Sequence, residues 1–245
     1  THETLLGVLD KKVVVACLDF RDKLEDFVDY NHLKNKHDKE VENALSKVPL
    51  SYQSIRTTNL DELKIVMNNN SIFLSHPELK TRFWDMFVID AFIGNNDRNE
   101  GNWGMILNRE TKSLKLAPVF DNGASFFNKS SDNKMHRILE NNKLHKDAFY
   151  NGARCAFEQN GKQINPLKYI KSMNSNDCND ALLRIVPKIK TEWNNIINII
   201  ESIPNSFDGI EIISEIRKEY YILSLKYVYE NVLEPTYEKL LNKNN

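Results

Sequence analysis

The chain has 245 residues, of which 41% are hydrophobic, and it carries 33 Lys and Arg against 34 Asp and Glu. A chain of this size can bury one large core or two small ones, as globular proteins do. Its balanced charge excludes a strong net attraction to nucleic acid or to an anionic membrane. The three cysteines are widely separated, which argues against disulfides and structural zinc, and no apolar run is long enough to span a membrane.

Two β-prone runs at the start of the chain flank Asp10-Lys-Lys and predict a β-hairpin within residues 4–18. A lone two-stranded hairpin is marginally stable in water, so we expect its remaining sheet partners to lie upstream. The chain also begins at Thr1 rather than at Met. We therefore interpret the sequence as a fragment of a longer protein.

Short helical patterns follow in the charged, Asn-rich segment of residues 21–75. Asn59 followed by Glu62 has the form of a capped helix start. Ser75 followed by Glu78 predicts a capping box that opens a longer helix. The apolar stripe of that helix, spaced at three and four residues, consists of Leu79, Phe83, Met86 and Phe87.

The long helix should end at Gly94, because glycine suits the left-handed residue that closes a helix, and a polar loop follows. In this loop Asp97, with Asn102 five residues later, has the spacing of a kinase catalytic loop. Residues 103–117 predict a second hairpin, which would return the chain beside Asn102 and place Asp121 at its exit. We predict that Asp97 orients or deprotonates an acceptor hydroxyl, whereas Asn102 and Asp121 bind Mg²⁺ on the phosphates.

An ordinary loop is the alternative interpretation of this segment, because Asn, Asp and Gly favour turns. A calcium-binding loop is excluded, since Glu100 stands where the turn glycine is needed and Ile106 where the bidentate Glu is needed. Asp90, in the apolar part of the long helix, should be buried. Because a buried carboxylate needs partners, we expect it to hold the loop's backbone amides or Arg98.

The remaining sequence predicts a mobile loop over residues 122–134 and then mainly helices. We expect a break or kink at Pro187, because proline removes a helix hydrogen bond. Two further apolar stripes at helical spacing predict core-facing helices, namely Trp193, Ile196, Ile197 and Ile200, and then Ile216, Tyr220, Leu223 and Tyr227.

Several segments together resemble the HipA-like bacterial serine/threonine kinases, most closely the cell-translocating kinase A (CtkA) type. The catalytic segment, residues 94–104 (GNNDRNEGNWG), is the most specific of them. The others are residues 3–7 (ETLLG), 13–20 (VVVACLDF), 83–90 (FWDMFVID), 116–121 (LAPVFD) and 180–185 (DALLRI).

This resemblance implies an α+β, predominantly helical fold. Residues 1–20 would be the last hairpin and the hinge of a kinase N-lobe, and residues 21–245 would be the C-lobe. The same roles are implied for Asp97, Asn102 and Asp121. The hinge backbone, which the resemblance implies to contact adenine, comprises Ala16, Cys17, Leu18, Asp19 and Phe20.

The activity implied by the resemblance is transfer of the γ-phosphate of ATP, with Mg²⁺, to a Ser or Thr hydroxyl of a protein substrate. Two departures from the family pattern stand out. Asn99 replaces the usual His, and no glycine-rich phosphate loop with a nucleotide Lys precedes the hinge. We therefore expect the fragment itself to bind ATP weakly and to be weakly active or inactive.

Two alternatives stay open from the sequence. A phosphatidylinositol-type lipid kinase has similar Asp-Arg, Asn-Trp and Asp-Asn-Gly elements, and a non-catalytic pseudokinase or interaction module would fit the missing upstream elements. We expect no nucleic-acid partner.

We expect the protein to act in the cytoplasm of the producing cell or, once secreted, in a host cell as an effector.

Overall fold

The structure is a computed structural model that describes residues 3–34 and 58–244. Its strands are β1 (Thr4–Leu9), β2 (Lys12–Cys17), β3 (Glu25–Asp29), β4 (Thr58–Asn59), β5 (Gly104–Asn108), β6 (Leu114–Leu116), β7 (Phe157–Gln159), β8 (Lys162–Gln163), β9 (Ser206–Phe207) and β10 (Ile210–Glu211). Its α-helices are α1 (Tyr30–Lys34), α2 (Leu60–Asn69), α3 (Ser71–Ser75), α4 (Glu78–Ile93), α5 (Asp132–Leu139), α6 (Pro166–Ser172), α7 (Asn176–Ser202), α8 (Glu215–Val228) and α9 (Glu234–Asn244). A 3₁₀ turn (Asn142–Leu144) precedes a π-helical turn, π1 (Lys146–Asn151), and a second π-helical turn, π2 (Tyr229–Leu233), joins α8 to α9.

The strands of the described residues form four small sheets. β1 pairs with β2 and β9 with β10 as antiparallel hairpins, while β4 pairs in parallel with β7, which pairs with β8. In the remaining sheet β5 lies between β3 and β6, antiparallel to both. Both predicted hairpins, within residues 4–18 and 103–117, are confirmed.

The first hairpin closes through a tight two-residue turn. Asp10 and Lys11 have φ values of 49° and 60°, as a type I′ turn requires. Large apolar side chains on both of its strands face solvent, since Leu5, Leu9 and Val15 are 71%, 64% and 59% exposed. The hairpin therefore contributes little to the core of the described structure.

The pairing of β3 with β5 was not predicted from the sequence. β3 is short and contains three acidic residues, so it lacks the alternating apolar pattern of a strand. It adds a third strand to the hairpin that leads to Asp121. Part of the predicted helical segment, residues 35–57, lies outside the described residues, but the helix start at Asn59 is confirmed: its side chain accepts the N–H groups of Asp61 and Glu62.

The capping box predicted at Ser75 was wrong, although the long helix that it should open exists as α4. Ser75 ends the preceding helix α3, and its hydroxyl donates to the carbonyls of Ser71 and Ile72. The hydroxyl therefore bonds back onto α3, and α4 begins after Pro77 without a side-chain cap. The end of α4 is as predicted, because Gly94 adopts a left-handed conformation (φ 69°) and its N–H donates to the Asp90 carbonyl.

The helices α4 and α7 pack against each other in the main core. The predicted stripe of α4 is buried, and so are Trp84, Val88, Ala91 and Phe92 on its other sides. α7 continues through Pro187, so of the break or kink predicted there the break was wrong. Buried neighbours on both sides of the proline, Val186 and Ile189, hold the helix in the core despite the lost hydrogen bond. Within the described residues, no helix is both long and apolar enough to cross a bilayer.

The segment after Asp121 is irregular up to residue 131, but α5 already includes residues 132–134 of the predicted mobile loop. Two aromatic side chains also anchor the irregular part. The ring of Phe126 packs against Tyr221 with centroids 4.9 Å apart, and that of Phe127 packs against Tyr220 at 5.9 Å. The predicted apolar face of α8 thus contacts this segment through Tyr220, which belongs to a small second core.

Candidate active site

Hydrogen bonds at the C-terminal end of α4 set the start of the predicted catalytic loop. Asn95, which is 1% exposed, donates from its main-chain N–H to the Asp90 carbonyl (2.8 Å) and from Nδ2 to Asp90 Oδ1 (2.9 Å). Its own Oδ1 accepts the main-chain N–H of Asp97 (3.2 Å). The loop therefore leaves a buried helix from a fixed point, two residues before Asp97.

Asp97 and Asn102 lie together, as the sequence predicted. Asp97 is exposed, and the Asn99 amide is 3.4 Å from its Oδ1. Asn102 donates from Nδ2 to the main-chain carbonyl of Asp97 (2.8 Å). That bond uses the donor side of the Asn102 amide and leaves Oδ1, an oxygen of the kind that Mg²⁺ prefers, as an acceptor.

Arg98 connects this loop to the turn that carries Asp121. Its side chain is 1% exposed, and each of its five N–H groups has an acceptor. The acceptors are both carboxylate oxygens of Asp90 (2.8 and 3.0 Å), Oδ1 of Asn122 (2.6 Å) and the main-chain carbonyls of Asn102 (3.0 Å) and Phe120 (2.5 Å). One guanidinium group therefore fixes the main chain at Asn102 and the residue on each side of Asp121.

Asp90 is the buried counter-charge of Arg98. It is 4% exposed, and the prediction that it holds Arg98 is confirmed. Burial raises the pKa of the Asp90 carboxyl above its ordinary value, while the hydrogen bonds from Arg98 and Asn95 act in the opposite direction. Burying these two charges costs free energy, and the complete hydrogen bonding of the pair offsets that cost.

Asp121 itself is exposed and has a φ of 53°. A left-handed conformation is uncommon for a residue other than glycine, and such strain concentrates at functional sites. Its neighbour Phe120 is fixed at both its main chain and its side chain. The Phe120 carbonyl accepts from Arg98, and its ring packs against Phe20 (5.5 Å between centroids) and Phe27 (5.2 Å).

Among the predicted hinge residues, Phe20 contacts the residue that precedes Asp121. Ala16 and Cys17 end strand β2, and the N–H of Leu18 donates to the Glu3 carbonyl (3.0 Å). Asp19 accepts from Arg21, whose hydrogen bonds lower the pKa of the Asp19 carboxyl to about 2. The ring of Phe20 packs against that of Phe120, so this predicted hinge residue touches the Asp121 turn.

Sequence reasoning missed the roles of three residues in this arrangement, namely Asn95, Phe120 and Asn122. The only signal for the two Asn residues was their place beside the predicted functional residues, where Asn is also common in ordinary turns. No sequence pattern could show that Phe120 links the Asp121 turn to other segments, since its ring partners Phe20 and Phe27 come from loop and strand segments about a hundred residues upstream.

No protein-family model matches the sequence. A curated relative, the serine/threonine-protein kinase CtkA of Helicobacter pylori (strain J99), is 35% identical over 220 residues, or 89% of this chain. The crystal structure of a Helicobacter pylori proinflammatory kinase, CtkA, superposes with a TM-score of 0.84 and 31% identity, covering all of this chain and 82% of the other. The chain belongs to the CtkA-like family.

Membership of the CtkA-like family confirms the resemblance seen in the sequence, and with it an α+β kinase-like fold. The chain spans 61% of the length of its curated CtkA relative. The division of the CtkA-like chain into lobes, and the roles of Asp97, Asn102 and Asp121, stay predictions.

Proposed function

We propose that this chain carries the acceptor-orienting and metal-binding part of a serine/threonine protein kinase. With ATP and Mg²⁺, the protein would transfer the γ-phosphate to a Ser or Thr hydroxyl of a protein substrate. The observation that carries the proposal is the shared guanidinium of Arg98, which bonds the carbonyls of Asn102 and Phe120 and so joins the catalytic loop to the Asp121 turn. Kinship with CtkA supports the same reaction.

Asp97 is proposed as the residue that orients the acceptor hydroxyl. In the reaction, the acceptor oxygen bonds to the γ-phosphorus as the bond from that phosphorus to the bridging oxygen breaks. ADP leaves, and the hydroxyl proton passes to Asp97 or to solvent. The chain's contribution is mainly positional, because phosphoryl transfer asks for little covalent help from the protein.

Asn102 and Asp121 are proposed as the ligands of Mg²⁺. Their amide and carboxylate oxygens fit this hard cation. Within the described residues, no three His, Cys, Asp or Glu side chains gather into a metal cluster. This fits Mg²⁺, which commonly takes one or two protein ligands and completes its shell with substrate phosphates and water. When bound, the metal would neutralise charge on the phosphates.

We further propose that residues 1–20 form the last hairpin and hinge of a kinase N-lobe and residues 21–245 the C-lobe. The backbone of Ala16 to Phe20 would then contact adenine. Phe20 supports this placement, because its ring lies 5.5 Å from that of Phe120, next to the proposed metal ligand Asp121. We place the activity in the cytoplasm of the producing cell or, after secretion, of a host cell.

Transfer of labelled phosphate tests the proposal. The full-length natural protein is incubated with γ-labelled ATP, Mg²⁺, a generic protein acceptor and phosphoinositide vesicles. Label on Ser or Thr of the protein acceptor is expected. Label on the lipid alone would replace the protein kinase by a lipid kinase, and no label from folded protein would favour a non-catalytic module.

A further inference from the structure

We propose that a small cleft beside Asp97, with Arg154 at its rim, receives an acidic side chain that flanks the acceptor hydroxyl. This inference rests on the proposed kinase function and names its substrate class. The acceptor would be a Ser or Thr with Asp or Glu one or two residues away.

The cleft lies directly next to the proposed catalytic residue. It has a volume of about 70 Å³ and lies between the end of α4, the segment after the Asp121 turn, and π1. Its wall includes Gly94 and Asn96, and Asn96 precedes Asp97 in the chain. Successive residues of an extended segment are about 3.3–3.6 Å apart, so the neighbours of an acceptor at Asp97 come within reach of this cleft.

Packed aromatic residues keep the cleft in shape. Phe127 forms one wall although its φ is 55°, which is an unusual conformation for a bulky residue. Its ring meets Phe149 at 6.1 Å and lies against the backbone of Gly94, where an added Cβ would be 3.6 Å from Cε2. Phe149 comes from π1, and π-helical turns are frequent at functional sites.

Arg154 supplies the charge. It is exposed at the rim, and Nη1 donates to the main-chain carbonyls of Asn151 (3.3 Å) and Ala153 (3.0 Å). Among the described residues it has no ion pair with Asp or Glu, whereas Arg184 and Arg217 do. Its guanidinium can therefore take a carboxylate from a partner, and Arg binds carboxylates strongly in paired geometry.

The shape and the charge of the cleft fit one type of side chain. The cleft, of about 70 Å³, has room for the end of a small side chain, since about 10–15 Å³ of such a volume already holds one water. The walls are mostly apolar, and the cation lies at the rim. Asp or Glu matches both properties, because its carboxylate can pair with Arg154 at the rim while its methylene groups lie against the apolar wall at the mouth.

Peptide selectivity tests the inference. Three Ser peptides that differ only beside the acceptor, with Glu, Gln or Lys at that place, are phosphorylated by the full-length wild-type protein and by Arg154→Glu. For the wild type we expect kcat/KM about tenfold higher with Glu than with Lys, because attraction replaces repulsion. For Arg154→Glu we expect the order of the peptides to reverse. Arg137→Glu, a matched charge reversal at an exposed residue outside the cleft, should keep the wild-type order.

Equal rates on the three peptides, or the wild-type order in Arg154→Glu, would overturn the cleft while leaving the kinase proposal intact. The reversal is a gain of activity on the Lys peptide, so loss of folding cannot produce it. If the wild-type protein labels the generic protein acceptor but none of the peptides, the cleft assignment fails alone; if it labels neither, the proposed function fails as well.

Discussion

Arg98 is the residue on which the proposed site depends most, although it would touch neither ATP nor acceptor. A guanidinium has five donors in a fixed plane, and here all five are used inside the protein. A lysine at this position would carry its positive charge on a single ammonium group, which could still form an ion pair with Asp90. It could not reach the Asn102 and Phe120 carbonyls in the same planar geometry, so the two proposed metal ligands would lose their common support.

We therefore predict that Arg98→Lys raises the Mg²⁺ concentration needed for half-maximal phosphoryl transfer by about tenfold, because loss of outer-shell partners weakens metal sites by 10–100-fold. The measurement is a Mg²⁺ titration of the rate in full-length protein. Arg184→Lys is the matched control. It also changes an Arg that donates twice to an Asp of α4, here Asp85 (3.0 and 2.7 Å), but it bonds no loop carbonyl.

The control should lose some stability and keep the wild-type Mg²⁺ requirement. If Arg98→Lys and Arg184→Lys shift the Mg²⁺ titration equally, Arg98 acts only through general stability. The idea that it positions Asn102 and Asp121 would then be wrong.

At this scale the sequence could identify Asp97, Asn102, Asp121 and the Asp90–Arg98 pair as candidates, because each is a charged or polar residue at an informative spacing. It could not identify the further acceptors of Arg98. Two of those are main-chain carbonyls, which every residue possesses, so no residue type marks them in a sequence.

Among the secondary-structure elements, the sheet β3–β5–β6 decides where the Asp121 turn lies. β3 approaches β5 so closely at Gly104 that a Cβ there would lie 2.8 Å from Cα of Asp29 and overlap the Val28 carbonyl. Glycine is therefore needed at this position for space rather than for an unusual backbone conformation.

We predict that Gly104→Ala destabilises the protein by about 2 kcal/mol or more, since overpacking against rigid backbone forces strands apart. Urea unfolding followed by circular dichroism gives the difference in unfolding free energy. Gly7→Ala is the control, because nothing lies within 4 Å of the added Cβ in that strand. A Gly104→Ala protein as stable as Gly7→Ala would show that β3 does not pack on β5 in this way.

The element scale also shows where local patterns succeed. The end of α4 at Gly94 and the cap at Asn59 depend on one residue and its neighbours, and both were predictable. The Ser75 capping box and the Pro187 break also looked local, yet in each case another element decided the outcome. The Ser75 hydroxyl donates to a carbonyl of α3 instead of capping α4, and the buried packing of α7 stabilises the helix more than the lost proline hydrogen bond destabilises it.

At the scale of the whole molecule, the three thiols report on whether the core is packed as described. All three cysteines are free, with Cys17 exposed and Cys155 and Cys178 buried. Burial raises the pKa of both the Cys155 and the Cys178 thiols to about 12. Because the thiolate is the reactive form, these two side chains should be almost inert near neutral pH in the folded protein.

We predict that iodoacetamide at pH 8 labels Cys17 alone in the folded 245-residue chain and all three cysteines in urea. Intact-mass spectrometry counts the labels. Rapid modification of Cys155 or Cys178 without urea would contradict the buried positions of α7 and of the segment before β7, and hence the core around α4.

The whole fold was only partly accessible from the sequence. Helical periodicity identified α4, α7 and α8 as core helices, but it could not show that residues of α8 and π1 would meet Phe127 beside the proposed catalytic loop. Contacts of that kind join residues far apart in the chain, and they leave no local pattern.

Single-turnover phosphoryl transfer by Asp97→Asn full-length protein tests the central claim most directly. The substitution keeps the size of the side chain and removes the carboxylate that would orient the hydroxyl, so we expect the rate to fall by about 10²-fold or more with ATP binding retained. Asp208→Asn, the same change at an exposed turn, should transfer phosphate at the wild-type rate. A wild-type rate in folded Asp97→Asn would contradict the assignment of this loop as the catalytic loop.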